Sequence, residues 1–349
     1  MLFSSKILIW YGQNKRTLPW RRTRDPYKIW LSEIMLQQTR VAQGTPYYLK
    51  FINTFPTVHD LADAPEEKVL KLWQGLGYYS RARNLHATSK MVVNEYNGHF
   101  PDNYAGLLKL KGIGDYTASA IASICFDEPH PVVDGNVYRV LARYFGISIP
   151  INSSEGVKYF KKLAIDVMDS DNIRDYNQGI MEFGAMQCTP KNPNCTQCPL
   201  NESCVALQEG KTATLPIKLK KHSIRTRYFN YLVPLSINKE NDRTTILKQR
   251  EGKGIWQNLW QFPLLETETE IDAVEIKRRY SEQIDLSGSP TISLFNENPI
   301  VHKLSHQHLQ TKFWILETNE YLSDGIPVSN IKEYPVPVLI ADFINAFKF

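Results

Sequence analysis

Apolar residues recur with two different periods along this chain, and the change of period divides it. Up to about residue 207 the spacing is helical. Lys6 to Gln13 forms a short amphipathic stretch ending near Gly12, and Pro26 opens a longer helix through YKIWLSEIMLQQTRV. That second stretch is apolar almost all round, which predicts a buried helix. Gln43 to Asn97 alternates helical runs with breaks at Pro46, Pro56, Pro65 and the turn GLGYYSRARN. Further helices are predicted over Tyr116–Cys125, over the run Val137, Val140, Leu141, Tyr144, and over Val157–Met168 and Tyr176–Met186. From Tyr228 the period shortens to two: YFNYLVPLSIN and TTILKQR alternate around the turn residues KENDR, and TISLFN and QTKFWILE also read as strands. Helices are predicted there over Ile271–Gln283 and from Val338. Between the two patterns lies EGKTATLPIKLKKHSIRTR, with Lys211, Lys218, Lys220, Lys221, Arg225 and Arg227 and no apolar stripe. The expectation is an all-α domain over 1–207, an extended basic linker over 208–227 and an α+β domain over 228–349.

Composition adds little to this division. A chain of 349 residues suits two domains, and 42% hydrophobic with 22% charged residues is ordinary globular usage. The net charge of +5 favours an anionic partner. No stretch reaches the ~20 apolar residues of a membrane span, and MLFSSKILIWYGQN has no cleavage-like site. A cytosolic protein without a membrane partner is expected.

Candidate chemistry changes the picture more. Glu33 lies in the buried helix with Ile29, Trp30 and Leu36 as helical neighbours. A carboxyl so desolvated should have a raised pKa and keep its proton. Gly112 and Gly114 build a hairpin ahead of a helix, where backbone amides can approach a phosphate. Asp134 stands at an N-cap, a carboxylate at the mouth of a site. Taken alone, these are equally an ordinary helix turn and a capping residue. Arg16, Arg21, Arg22 and Arg24 surround Trp20, and Gly75 and Gly77 precede Tyr78, Tyr79, Arg81 and Arg83. Each group joins charge to aromatic faces as a nucleic-acid contact does, and each can equally be a solvated basic loop. Cys188, Cys195, Cys198 and Cys204 are bunched with six, two and five residues between them, which points to metal; four thiolates also suit zinc. Cys125, alone in an apolar helix, reads as a packed hydrophobe.

The hairpin glycines followed by Val-Asp-Gly-Asn resemble the helix-hairpin-helix DNA glycosylases of the endonuclease III superfamily, and the cysteine spacing matches that superfamily's iron–sulfur loop. The resemblance implies a [4Fe–4S] cluster on the four cysteines. Over nearly the whole chain it narrows to the adenine DNA glycosylases of the MutY type. Strand-cleaving members carry a lysine nucleophile two residues after the second hairpin glycine, and here Tyr116 stands there. A tyrosine cannot form that Schiff base, so a monofunctional hydrolase is implied. The rival reading, a bifunctional abasic-site lyase of the endonuclease III kind acting on oxidised pyrimidines, is disfavoured by Tyr116 and by the large extra domain. A non-catalytic DNA-binding module, with Glu33 and Asp134 merely structural, is the other rival.

Carried over residue by residue, the resemblance makes Glu33, within WLSEIMLQQT, the general acid and Asp134 the stabiliser of an oxocarbenium ion, with Asn136 as its polar partner. Glu182 would contact the flipped base, with Arg16 and Trp20 beside it; Gln38 and Tyr78 would enter the DNA stack, and Arg21, Arg81 and the Gly112–Gly114 hairpin would meet DNA. The expected substrate is duplex DNA with adenine opposite 8-oxoguanine or guanine, and the expected enzyme a monomer. The C-terminal domain resembles a nucleotide-hydrolase (Nudix) fold that recognises 8-oxoguanine. LWQFPLLE sits at the metal box of such hydrolases, yet AVEIKRRYSEQ lacks the paired glutamates that hold magnesium. The family's Phe-Ser-His recognition loop is Leu304, Ser305 and His306 here, so an aromatic stacking face is lost.

Overall fold

Helices α1 (Phe3–Asn14), α2 (Pro26–Leu36), α3 (Val41–Thr54), α4 (Val58–Asp63), α5 (Glu66–Trp73), α6 (Ser80–Tyr96) and α7 (Tyr104–Leu107) lead to the helix behind the hairpin, α8 (Asp115–Phe126). Next come α9 (Gly135–Tyr144), α10 (Ser154–Val167), α11 (Ile173–Met186) and the single turn α12 (Val205–Gln208). In this computed structural model the described residues are 2–219, 224–237, 243–286, 288–347 and 349. Lys220 and Lys221 of the expected linker and 239–242 of the expected KENDR turn lie outside them.

Packing divides the chain into two compact units, Met1–Asp63 with Asn84–Lys221, and Ala64–Arg83 with His222–Phe349. The N-terminal segment Ala64–Arg83 therefore groups with the C-terminal residues, where periodicity had placed it in a continuous 1–207 body. Helical period reports which residues are apolar together, not which element they pack against.

In the helical unit, α8 is the centre: every side chain from Thr117 to Cys125 is buried, and α2 and α11 pack on it. Small residues, Ala118, Ser119, Ala120, Ala122 and Ser123, allow that close approach. Gly112, at φ +76°, turns the chain from α7 into α8; a Cβ there would come within 2.9 Å of Asn84 Cβ. The helix expected to run through Val41 instead stops at Leu36: Gln37 leaves the helix at ψ 113° and Gln38 follows at φ +56°. The start of the linker is docked to this unit: Ile151 N–H donates to Ile217 O (3.0 Å), and Asn152 and Leu219 exchange two hydrogen bonds.

In the other unit the central strand β1 (Arg225–Ile237) is flanked by β2 (Arg243–Thr245). A small ribbon of β3 (Lys248–Gln249) and β4 (Trp260–Gln261) precedes β5 (Leu264–Thr267), helix α13 (Ala273–Arg279), β6 (Thr291–Leu294), β7 (Ile300–Lys303), β8 (Gln307–Thr318), β9 (Ile326–Pro327) and helix α14 (Val338–Phe347). β1 runs parallel to β8, Arg225 opposite Gln307 through Ser236 opposite Thr318, and antiparallel to β5 and β2. β6 and β7 pair with β8, and β9 with β2. Alternation sends Leu232, Trp314 and Leu316 to one face, with Ile276 of α13. Tyr231 and Phe313 go to the other, where Phe343 of α14 stacks on Phe313 at 4.0 Å. The sheet is thus buried between two helices, as an α+β domain requires.

Candidate active site

A cavity of about 640 Å³ opens within the helical unit, lined by side chains from α2, α8, α9 and α11. Glu33 projects into it from α2, only 8% exposed. Tyr116, at the first turn of α8, donates its hydroxyl to Glu33 Oε2 at 2.7 Å and lies 3.2 Å from Met181 Sδ. Burial, reinforced by the negative charge of Asp134 and opposed by the Tyr116 hydrogen bond and Arg21, raises the Glu33 carboxyl to about 7. Burial also pushes the Tyr116 phenol well up, so it stays a hydrogen-bond donor.

Asp134 enters the same cavity as the N-cap of α9. Its Oδ1 accepts from the amides of Asn136 and Val137, both at 2.8 Å, and its Oδ2 from Asn136 Nδ2 at 2.8 Å. Burial lifts its pKa above the ordinary value, while these hydrogen bonds and the Arg139 charge pull the other way.

Behind Asp134 lies a connection that the sequence reading missed. Arg139, buried on α9, donates to Asn136 Oδ1 at 2.9 Å, to Gly184 O, and to Cys188 O at 2.7 Å. One turn on, Arg143 donates to Thr189 O at 2.7 Å, to Pro190 O and to Cys188 Sγ at 3.4 Å. Asn136, Arg139 and Arg143 form one polar stripe on α9, spaced three and four apart. That spacing, beside apolar Val137, Val140 and Leu141, was the available signal. α11 meets this stripe closely: a Cβ on Gly184 would lie 2.6 Å from Asn136 Cβ.

Glu182, 1% exposed, is clamped by two arginines. Arg16 gives Nε to Oε1 at 2.7 Å and Nη2 to Oε2 at 2.6 Å, while Arg21 gives Nη2 to Oε2 at 2.9 Å and Nη1 to Oε1 at 3.1 Å. Burial alone would raise its pKa, but these hydrogen bonds hold it at about 2. Arg21, expected to contact DNA, therefore has its guanidinium on Glu182. Trp20 is buried edge-on to Tyr48 at 5.2 Å and lines the cavity with Gln38 and Gly114.

In the other unit, Tyr78 is 46% exposed at φ +48°, between Gly77 and Arg81. Arg81, also expected on DNA, is buried and donates to Gly77 O at 3.0 Å and Leu76 O at 3.3 Å. An arginine so desolvated braces the turn in place of a phosphate. Leu304, Ser305 and His306 form the tip of the β7–β8 hairpin, closed by Leu304 N–H to Gln307 O at 2.9 Å, with Ser305 Oγ 3.2 Å from His306 Nδ1. The carboxylates in and after LWQFPLLE are occupied by cations: Glu266 by Arg227, Glu282 by Arg279, and Glu275 by Arg278 and Arg279.

The four clustered cysteines line one small cavity below α9, with the Arg143 cation beside them. Among the described residues no three His, Cys, Asp or Glu side chains are gathered tightly enough for a single metal ion. Four cysteines lining a shared apolar cavity suit a multi-iron cluster, and a neighbouring guanidinium suits its negative charge.

Residues 31–162 match the HhH-GPD superfamily base excision DNA repair protein family, 188–204 the iron–sulfur binding domain of endonuclease III, and 235–346 the NUDIX domain. An adenine DNA glycosylase of Buchnera aphidicola subsp. Baizongia pistaciae is 38% identical over 324 residues, 90% of this chain and 86% of that protein. The rat adenine DNA glycosylase is 34% identical, covering 90% of this chain and 70% of its own. Among solved structures, a thermostable thymine-DNA glycosylase is 33% identical with a TM-score of 0.56, over 59% of this chain and 95% of that one. No helix among the described residues is long and apolar enough to cross a membrane.

Proposed function

Because the chain belongs to the adenine DNA glycosylases of the base-excision repair HhH-GPD superfamily, we propose that it hydrolyses the N-glycosidic bond of adenine opposite 8-oxoguanine or guanine in duplex DNA, as a monomeric, monofunctional enzyme acting on a flipped-out base. The observation that carries the reading is the pairing of two carboxyls in one cavity with opposite duties. Glu33, held near 7 by burial, keeps a proton to give; Asp134, fixed by three hydrogen bonds, keeps an oxygen face for a developing cation.

Adenine leaves poorly as an anion, so Glu33 protonates a ring nitrogen as the glycosidic bond breaks. Tyr116 occupies Oε2 and orients the proton on the other oxygen toward the base. The sugar becomes an oxocarbenium ion facing Asp134, and water completes the hydrolysis. No lysine stands at Tyr116, so the abasic strand is released uncut. The flipped base is met by the Glu182 carboxylate and the Arg16 and Arg21 groups that hold it, with Trp20 alongside. Gln38 and Tyr78 fill the vacated stack, and the amides of the Gly112–Gly114 hairpin receive phosphate.

Cys188, Cys195, Cys198 and Cys204 would hold a [4Fe–4S] cluster, and a cluster held there would brace the loop whose Thr189 and Pro190 carbonyls accept from Arg143. Cys198→Ser is expected to lose iron and sulfide on analysis and to weaken duplex binding. Zinc without iron in anaerobically purified protein would overturn the assignment.

The Ser305 hydroxyl, exposed at its hairpin tip, reads the lesion. N7 of 8-oxoguanine carries a hydrogen that guanine lacks, and Ser305 Oγ accepts it. Ser305→Ala is expected to lower the preference for 8-oxoguanine over guanine about tenfold, with the rate on bound substrate unchanged. Competition binding and single-turnover rates on both duplexes check this, and an unchanged ratio removes the loop from recognition. The whole reading is tested with duplexes bearing adenine opposite 8-oxoguanine, guanine and thymine. Alkali-revealed abasic sites on the first two support it, whereas a borohydride-trapped covalent complex would point to a lyase.

A further inference from the structure

The turn carrying Tyr78 is fastened on both sides to residues of the C-terminal half, within one compact unit. Before the turn, Asn258 Nδ2 donates to Glu66 Oε1 at 2.6 Å, the Trp260 indole N–H donates to the Glu67 carboxylate, and Lys71 Nζ donates to Tyr334 O at 2.9 Å. After it, Tyr79 OH donates to Val336 O at 3.4 Å and Arg83 Nη1 to Gln257 O at 2.9 Å. Two of the bonds before the turn end on carboxylates, which makes them the stronger kind.

Both partners of those carboxylates are pre-set. Asn258 sits at φ +65°, its N–H bonded to Arg250 O at 2.9 Å, and the Trp260 ring packs edge-on against Tyr334 at 4.9 Å. Within the turn, Gly75 (φ +96°), Gly77 (φ +77°) and Tyr78 (φ +48°) all adopt left-handed backbone. An aromatic residue keeps that conformation only where its surroundings over-determine it. Trp73 Nε1 and Arg81 Nη2 both donate to Gly77 O at 3.0 Å, and Gly75 N–H donates to Tyr79 OH at 3.3 Å.

From these contacts we infer that Asn258 and Trp260 are positioning residues for Tyr78: by holding Glu66 and Glu67 they set the turn whose aromatic enters the DNA stack. The inference rests on the stack-entry reading of Tyr78 given above. It assigns stack entry and lesion reading to the same unit, since the Leu304–His306 tip also belongs to it. The C-terminal half would then supply not only the residue that identifies the lesion but the frame that opens the helix beside it.

The test uses the full chain with Asn258→Ala and Trp260→Phe combined, the phenylalanine keeping the ring that packs on Tyr334. In free protein, hydrogen exchange of the amides of 74–81 should quicken about tenfold, while those of 117–124 in α8 stay unchanged and report an intact fold. Unchanged exchange in 74–81 overturns the positioning role. On duplexes with 2-aminopurine next to the target adenine, the fluorescence rise on binding should fall in the paired variant, and the pair should add nothing in a Tyr78→Ala background. Full additivity also overturns it. A Tyr78→Ala protein with an undiminished fluorescence rise sinks the stack-entry reading alone, and the exchange result still decides the positioning.

Discussion

Glu33→Gln should lower the single-turnover rate of adenine release by about a thousandfold while leaving duplex affinity within a few-fold of wild type. The amide is nearly isosteric and can still accept from Tyr116 OH, so the cavity keeps its shape; only the transferable proton is lost. The wild-type pH profile should carry the same signature. An acid works while protonated, and the Glu33 carboxyl titrates at about 7. The rate therefore falls about tenfold per unit above that pH, where an ordinary carboxyl would already be ionised, and falls again at low pH as Asp134, whose own pKa burial lifts, takes up a proton. Tyr116→Phe removes a donor that favours the charged carboxylate, so the fall should move to higher pH. Quenched-flow release measured across pH tests both statements, and a Glu33→Gln enzyme with wild-type release would reduce Glu33 to a structural residue.

Asp134→Asn should remove at least about a thousandfold from the same rate, again with binding retained. Asparagine is a good N-cap, and its oxygen can keep the amides of Asn136 and Val137, so α9 stays anchored. What goes, on the proposed mechanism, is the negative charge that faces the oxocarbenium ion. The second oxygen becomes an NH₂ opposed to the Asn136 NH₂, a donor against a donor. Filter binding to the lesion duplex distinguishes the cases: loss of affinity equal to the loss of rate would show that Asp134 shapes the site and not the transition state.

The parts of this site legible in the sequence were those with a local signature. Glu33 stood out because a carboxyl interrupts an apolar helix, and Asp134 because an N-cap precedes an amphipathic run; the helices over both form as expected. The cysteine spacing likewise carried its meaning within seventeen residues, 188–204. What escaped was set by contacts distant in sequence. The break at Gln38 has no glycine or proline to announce it; its positive φ turns the chain out of the helix, and Gln38 lines the cavity. Strands β5 and β7, four residues each, exist because the long strands β1 and β8 hold them, not through propensity of their own. Arg21 and Arg81 looked like phosphate ligands because charge beside aromatics says nothing about where the guanidinium ends: one grips Glu182, the other a backbone turn. The grouping of Ala64–Arg83 with the C-terminal half was illegible for the same reason.

The frame behind Asp134 also orders events during synthesis. A ribosome working from the N-terminus delivers Glu33 and Asp134 well before Gly184 and Cys188, whose carbonyls anchor Arg139 and through it Asn136. Glu182, the anchor for Arg16 and Arg21, arrives equally late. A nascent or prematurely terminated chain thus holds both acids without the scaffold that aims them. The arginine frame around both acids is therefore completed only once the chain has been made through Cys188.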